Sequence, residues 1–173
     1  MDFFELTQAR KSIRSFDEKG IVSPEAVTKI LNAARHAPSG GNSQPWHFYV
    51  IRDAEVKKQI HDTCCGQPTM LSAPVLIAVV ADMERSGAKY GDRGRTLYSI
   101  QDTAAAIQNM LLCACSLGLG TCWCGAFDEA AASRILNLAE GMRPVALIPI
   151  GIPAADPAPR GRRALAEIVT YIG

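Results

Sequence analysis

The chain of 173 residues is short of several things, and each shortage narrows its function. It opens Met1-Asp2-Phe3-Phe4-Glu5, with no basic stretch ahead of an apolar core, so no secretory leader is expected. Its longest apolar run, Ala73 to Ala81, falls well short of the ~20 residues that a membrane-spanning helix needs. No membrane association is therefore expected, and the cytoplasm is the expected location. A formal net charge of +1 leaves no strongly basic face, which argues against nucleic acid as a partner. Only three histidines occur, His36, His47 and His61, scattered without triad or metal-ligand spacing. No internal repeat or low-complexity tract is present. The six cysteines fall as Cys64-Cys65, Cys113/Cys115 and Cys122/Cys124, which matches neither a disulfide framework nor common zinc spacing. Buried, reduced thiols are the expected state. A metal-binding or redox-sensing protein built on Cys113, Cys115, Cys122 and Cys124 is the alternative from a different class.

What remains reads as one α+β domain over 1–173, with the proline-bearing stretch 153–173 as an extended C-terminal arm. Asp2 and Glu5 have capping-box spacing, and Ser23-Pro24-Glu25 opens a second helix with the stripe Val27, Ile30, Leu31, Ala34. Strands are expected at 47–52, 75–81, 121–124 and 145–152, the second buried on both faces. Asp53 and Asp128 cap helices to Ile60 and Ala139. Asp82 to Arg95, polar and glycine-bearing, is expected to be a loop. A long helix follows from Leu97 to about Leu117. Its residues Leu97, Ile100, Ala104, Ile107, Leu111 and Ala114 recur at 3, 4, 3, 4, 3, a narrow seam that suits either a core helix or a subunit interface.

Chemistry concentrates in four places. Arg10-Lys11-Ser12-Ile13-Arg14, if extended, puts Arg10, Ser12 and Arg14 on one side, a set suited to phosphate or another anion. Arg160-Gly161-Arg162-Arg163 could reach the same anion from the arm. Pro38-Ser39-Gly40-Gly41-Asn42-Ser43-Gln44-Pro45-Trp46 is a turn that brings backbone and short polar groups close to a flat ligand. Gly118 to Gly125 follows a helix rather than a strand and lacks the third glycine, so it is not a dinucleotide fingerprint. No protein nucleophile stands out, which leaves hard chemistry to a bound cofactor.

Together and in order, these four segments resemble the FMN-dependent nitroreductases, the third running from Asp102 and Gln108-Asn109 into Leu117 to Phe127. The resemblance implies an α+β fold with a mixed, mainly antiparallel central sheet flanked by helices. It also implies an intertwined homodimer, with the long helix at the interface and FMN between subunits. It implies that Arg10, Lys11, Ser12, Arg160 and Arg162 hold the phosphate end and that Arg14 stabilises the reduced ring. Pro38, Ser39, Gly40 and Asn42 would come from the opposite subunit, and Trp123, Cys124 and Gly125 would line the ring. Many members carry an asparagine before the central strand; here that stretch is 65–69, and Gln67 is the candidate. NAD(P)H would be the co-substrate and a nitroaromatic, quinone or similar acceptor would be reduced in ping-pong fashion, with no catalytic side chain and no metal. Oxygen-dependent flavin chemistry and reductive dehalogenation are same-fold alternatives. A short 82–95 loop implies a reduced lid and an open cleft.

Overall fold

The computed structural model describes residues 1–173. The apolar run at its centre organises everything else. Strand β2 (Val75–Asp82) lies between β1 (Trp46–Ile51) and β4 (Met142–Gly151), and β3 (Gly120–Thr121) borders β4, giving the order β1-β2-β4-β3. All three pairings are antiparallel. The four strands are thus antiparallel throughout rather than mixed; Ser12 makes only an isolated parallel bridge to Thr121 outside them.

Alternation along β2 and β4 divides the apolar side chains between two cores. Val75, Ile77, Val79, Ala146, Ile148 and Ile150 face one side, with α2 (Pro24–Arg35) and α6 (Ser99–Ser116) packed over them. Leu76, Ala78 and Leu147 face the other, against α3 (Ala54–Ile60), α4 (Thr69–Ser72) and α7 (Glu129–Ile135). Residues Val75 to Ala81 are fully buried, as expected for a strand covered on both faces. Each such valine, leucine or isoleucine contributes roughly 1.5–3 kcal/mol by leaving water.

The helix starts follow their caps. Asp2 and Glu5 form the reciprocal capping box of α1 (Phe3–Ala9), and Ser23 accepts from Ala26 N–H ahead of Pro24. Asp53 and Asp128 cap α3 and α7. The second of these helices stops at Ile135 rather than Ala139, and the 121–124 strand reduces to Gly120–Thr121 plus an isolated bridge from Cys124 to Leu147.

One expectation needs correction, and one left open is decided. The 82–95 segment is mostly helix, α5 (Met83–Arg93), rather than loop. Asp82 caps it by accepting from Arg85 N–H; Gly87 lets the Arg95 side chain lie close, whereas Gly91, at φ 55° and ψ −140°, kinks the helix near its end. A side chain at Gly94 would collide with the Ser86 backbone, so the glycine lets the π-type turn Gly94–Tyr98 lie against the helix. The seam of the long helix also points mainly into this chain's own core. Ile107 is fully buried, with Leu111 and Ala114, among β2, β4 and α2, while Leu97, Ile100 and Ala104 are half-buried. A strip that narrow is filled by the sheet beneath it, leaving the rest of the helix for other contacts.

The chain after Pro153 is exposed and extended apart from the short helix α8 (Leu165–Ile168). Its root is anchored, because Pro153 bridges Phe16 and Ala154 N–H donates to Ser15 carbonyl at 3.0 Å.

Candidate functional site

Segment 10–14 is extended where it leaves α1. Ile13 turns inward beside Phe16 and Ala73, and its N–H donates to Thr121 carbonyl at 2.8 Å. Period two then sends Ser12 and Arg14 to the opposite side. Lys11 reaches the arm: its Nζ lies 2.6 Å from Asp156 Oδ1 and donates to Pro157 carbonyl at 3.2 Å. That clamp lays the arm beside the segment and closes a cleft of about 770 Å³. Arg10, Lys11, Ser12, Arg14, Arg160 and Arg162 all line it, and no carboxylate does. Arg10, Arg14, Arg160 and Arg162 form no ion pair within the chain. Five cations from opposite chain ends thus face one recess; the Arg162 guanidinium donates to the Arg160 and Gly161 carbonyls, at 2.9 and 3.1 Å, and none of the four arginines is paired with a carboxylate. This arrangement suits a phosphate, which takes parallel N–H donors from arginine forks.

Beside Thr121 the backbone continues into the Trp123 to Gly125 turn. Cys124 exchanges both backbone hydrogen bonds with Leu147, at 3.0 and 2.9 Å, which fixes its direction. Trp123 is 41% exposed between Cys122 and Cys124, which are buried, and Gly125 is exposed. Gln67 joins this edge, because Cys124 Sγ–H donates to Gln67 Oε1 at 3.4 Å. Gly66 makes that possible: it is left-handed at φ 58°, where a side chain would be strained. Cys124 and, to a smaller degree, Arg14 favour the ionised form of Cys122, whereas Cys122 and burial push the Cys124 thiol up.

The turn Pro38 to Gln44 is not part of this cleft. None of its residues lines the recess, and it is pinned instead to α6 and α5. Asp102 on α6 accepts Gly40 N–H through both carboxylate oxygens, at 3.1 and 3.2 Å. Tyr90 and Tyr98 meet edge to face, 5.0 Å between centroids, and both rings would lie 3.5 Å from a Cβ on Gly40. Arg85 Nε donates to Ser43 carbonyl. Inside the turn, Ser39 Oγ accepts from Gln44 N–H at 3.0 Å, and Gly41, Asn42 and Gln44 all have positive φ. Such a conformation persists only when neighbours over-determine it. Asp102 is the site residue that sequence pattern alone leaves without a role; its signal is a carboxylate on a helix otherwise apolar nearly all round. Burial raises its pKa, and the Gly40 hydrogen bonds work against that shift.

The chain's sequence matches the model of the nitroreductase family over residues 7–69 and 61–152. This chain belongs to that family. A protein of Methanothermobacter thermautotrophicus, provisionally named an NADH dehydrogenase/NAD(P)H nitroreductase, is 34% identical over 164 residues, covering 92% of this chain and 82% of its own. An Archaeoglobus fulgidus protein of the same name is 34% identical over 153 residues, covering 86% and 84%. Among solved structures, the nitroreductase family protein of Streptococcus pneumoniae superposes with a TM-score of 0.90 at 25% identity, covering 99% of this chain and 100% of its own. This nitroreductase-family enzyme is an oxidoreductase with the fold of those structures, and none of its helices is long and apolar enough to cross a membrane.

Proposed function

We propose that this nitroreductase-family chain binds FMN, takes hydride from NAD(P)H and reduces a nitroaromatic, a quinone or a similar electrophilic acceptor by a ping-pong mechanism. The observation that carries the proposal is the carboxylate-free cleft in which Arg10, Lys11, Ser12, Arg14, Arg160 and Arg162 converge. A relative in Bacillus subtilis, 30% identical over 165 residues, bears the name FMN reductase [NAD(P)H], which agrees with this choice of flavin.

The residues fit such a group in three respects. Arg10, Ser12, Arg160 and Arg162 would bind its phosphate, and Lys11 would hold the arm in place through Asp156. Arg14 would sit where negative charge develops on reduction, and a fixed cation there lowers the energy of the reduced form without reorganisation. Gln67 and the Trp123–Gly125 turn would border the ring, offering backbone and amide groups close to its polar edge. When bound, FMN supplies the hydride chemistry for which the chain has no side chain of its own.

Pro38, Ser39, Gly40 and Asn42 would complete the site of a second copy in a homodimer. Their separation from the basic cleft of their own chain supports that division. So do the apolar side chains left in water at both ends: Phe3 and Phe4 are 65% and 73% exposed, and Tyr171 and Ile172 are 93% and 97% exposed. A homodimer would cover them.

Denaturing the purified protein and chromatographing the released flavin tests the reading. FMN is the expected product, with turnover of NADH or NADPH against nitroaromatic and quinone acceptors. Recovery of FAD, or no retention of FMN after reconstitution, would sink it.

A further inference from the structure

The Gln67 side chain has one committed end and one free end. Its Oε1 accepts from the Cys124 thiol at 3.4 Å, while its Nε2 makes no hydrogen bond within the chain. The residue is half-buried, on the edge that carries the exposed Trp123 and Gly125. A carboxamide presents two opposite chemistries, because its oxygen only accepts and its nitrogen only donates. A half-turn about the last torsion exchanges them. Cys124 removes that choice: a thiol donates to the oxygen, whereas the reversed amide would aim an N–H at a sulfur that accepts weakly.

Both partners of this bond are anchored. Cys124 exchanges backbone hydrogen bonds with Leu147 at 3.0 and 2.9 Å, and the residue is 3% exposed. Cys122 and burial push its thiol up, so it keeps the proton that it donates. On the other side Gly66 turns the chain at φ 58°, and the Gln67 carbonyl accepts Met70 N–H at 3.0 Å as the chain enters α4. With the backbone held at both residues and the amide held by its oxygen, the NH2 group keeps the unspent hydrogen-bonding capacity. The isolated bridge from Ser12 to Thr121 joins this strand end to the basic segment.

We infer that Cys124 is a positioning residue: by holding Gln67 Oε1 it presents Gln67 Nε2 as a fixed donor to a carbonyl oxygen of the flavin, an assignment that rests on the FMN reading. Flavin carbonyls gain negative charge when the ring is reduced. A fixed N–H donor therefore stabilises the reduced form more than the oxidised one. The opposite amide orientation would set a carbonyl oxygen against that charge. Cys124 thus bears on the reduction potential through Gln67, without touching the ring. A glutamine with no such partner would have to be ordered by the ligand itself, at a cost in binding.

The test reads the midpoint potential of FMN bound to the full-length chain, by equilibration with a reference dye, alongside the affinity for oxidised FMN from flavin fluorescence. Cys124→Ala should weaken reduced FMN about 10-fold relative to oxidised FMN, a fall of about 30 mV in the two-electron potential. Affinity for oxidised FMN should change little. Gln67→Met should give the same fall, and adding Cys124→Ala to Gln67→Met should change nothing further. A second measurement needs only the wild-type fold. In ¹⁵N-labelled protein, the Gln67 amide resonances, identified by their loss in Gln67→Met, should show one proton moving downfield when FMN binds. A wild-type potential in Cys124→Ala, additive falls in the double variant, or a Gln67 amide unmoved by FMN would overturn the inference. Should Cys124→Ala not fold, the amide resonances decide. Failure to bind FMN at all would sink the FMN reading and this inference together, whereas FMN bound at an unchanged potential in both single variants would sink this inference alone.

Discussion

Removing the Asp102 carboxylate should loosen the Pro38–Gln44 turn at a distance from the basic cleft. The carboxylate accepts Gly40 N–H at 3.1 and 3.2 Å, and the Ser43 hydroxyl lies beside it. A hydrogen bond to a charged group contributes about 1.5–3 kcal/mol, and a half-buried N–H left without a partner adds to the loss. Against this, the carboxyl is buried enough to raise its pKa, so its removal also relieves a desolvation cost. We expect Asp102→Ala to lose about 1–2 kcal/mol of stability, the smaller part of the gross interaction. Freed from the pin, the three positive-φ residues Gly41, Asn42 and Gln44 should relax, and FMN affinity should fall with them. Asp102→Asn retains an acceptor for Gly40 and should restore most of both. The native carboxyl titrates above its unfolded counterpart, so the native state binds more protons between those two values. Stability from this group therefore falls as pH rises through that acidic window, and Asp102→Asn should flatten that part of the profile. Urea unfolding across pH, together with FMN titration by flavin fluorescence, reads all three. An alanine variant that unfolds at the wild-type urea concentration and binds FMN equally well would refute the reasoning.

Other consequences can be measured on single variants. Arg10→Ala should raise the FMN dissociation constant about 10- to 150-fold, the loss of one contact of roughly 1.5–3 kcal/mol, by equilibrium titration. Arg14→Ala should instead slow flavin reduction by NAD(P)H in stopped flow; equal changes in affinity alone would erase the division of roles. Truncation after Pro153 removes Arg160, Arg162 and the Asp156 partner of Lys11, so FMN retention should collapse in flavin-fluorescence titration. Ile107→Ala should cost about 2–5 kcal/mol in urea, because the side chain is fully buried in the chain's own core. Ile107→Glu should unfold the chain rather than yield a soluble, separated subunit, which circular dichroism and sedimentation would distinguish.

Elements whose signals are local were legible in the chain alone. Asp2 with Glu5, Ser23 with Pro24, and Asp53 mark helix starts through hydrogen bonds that span two or three residues, and each is present. Val75 to Ala81 identified the inner strand because a run apolar at every position must be covered on both faces. The family was legible in four ordered segments spread over the chain. Tertiary structure decided what depends on contacts between distant residues. Segment 82–95 looked like a loop because its glycines and charges were counted without their partners, whereas Gly94 is required by the Ser86 backbone and Arg95 is paired with Glu84. The seam of α6 could serve a core or an interface, and only the sheet beneath it assigned Ile107 to the core. Arg10 and Arg160 each read as a weak basic signal, and the Lys11–Asp156 clamp is what places them in one cleft. Asp102 and Gly40 lie far apart in sequence, and so do Cys124 and Gln67. No periodicity records such pairs, because their energy exists only after the chain has folded back on itself.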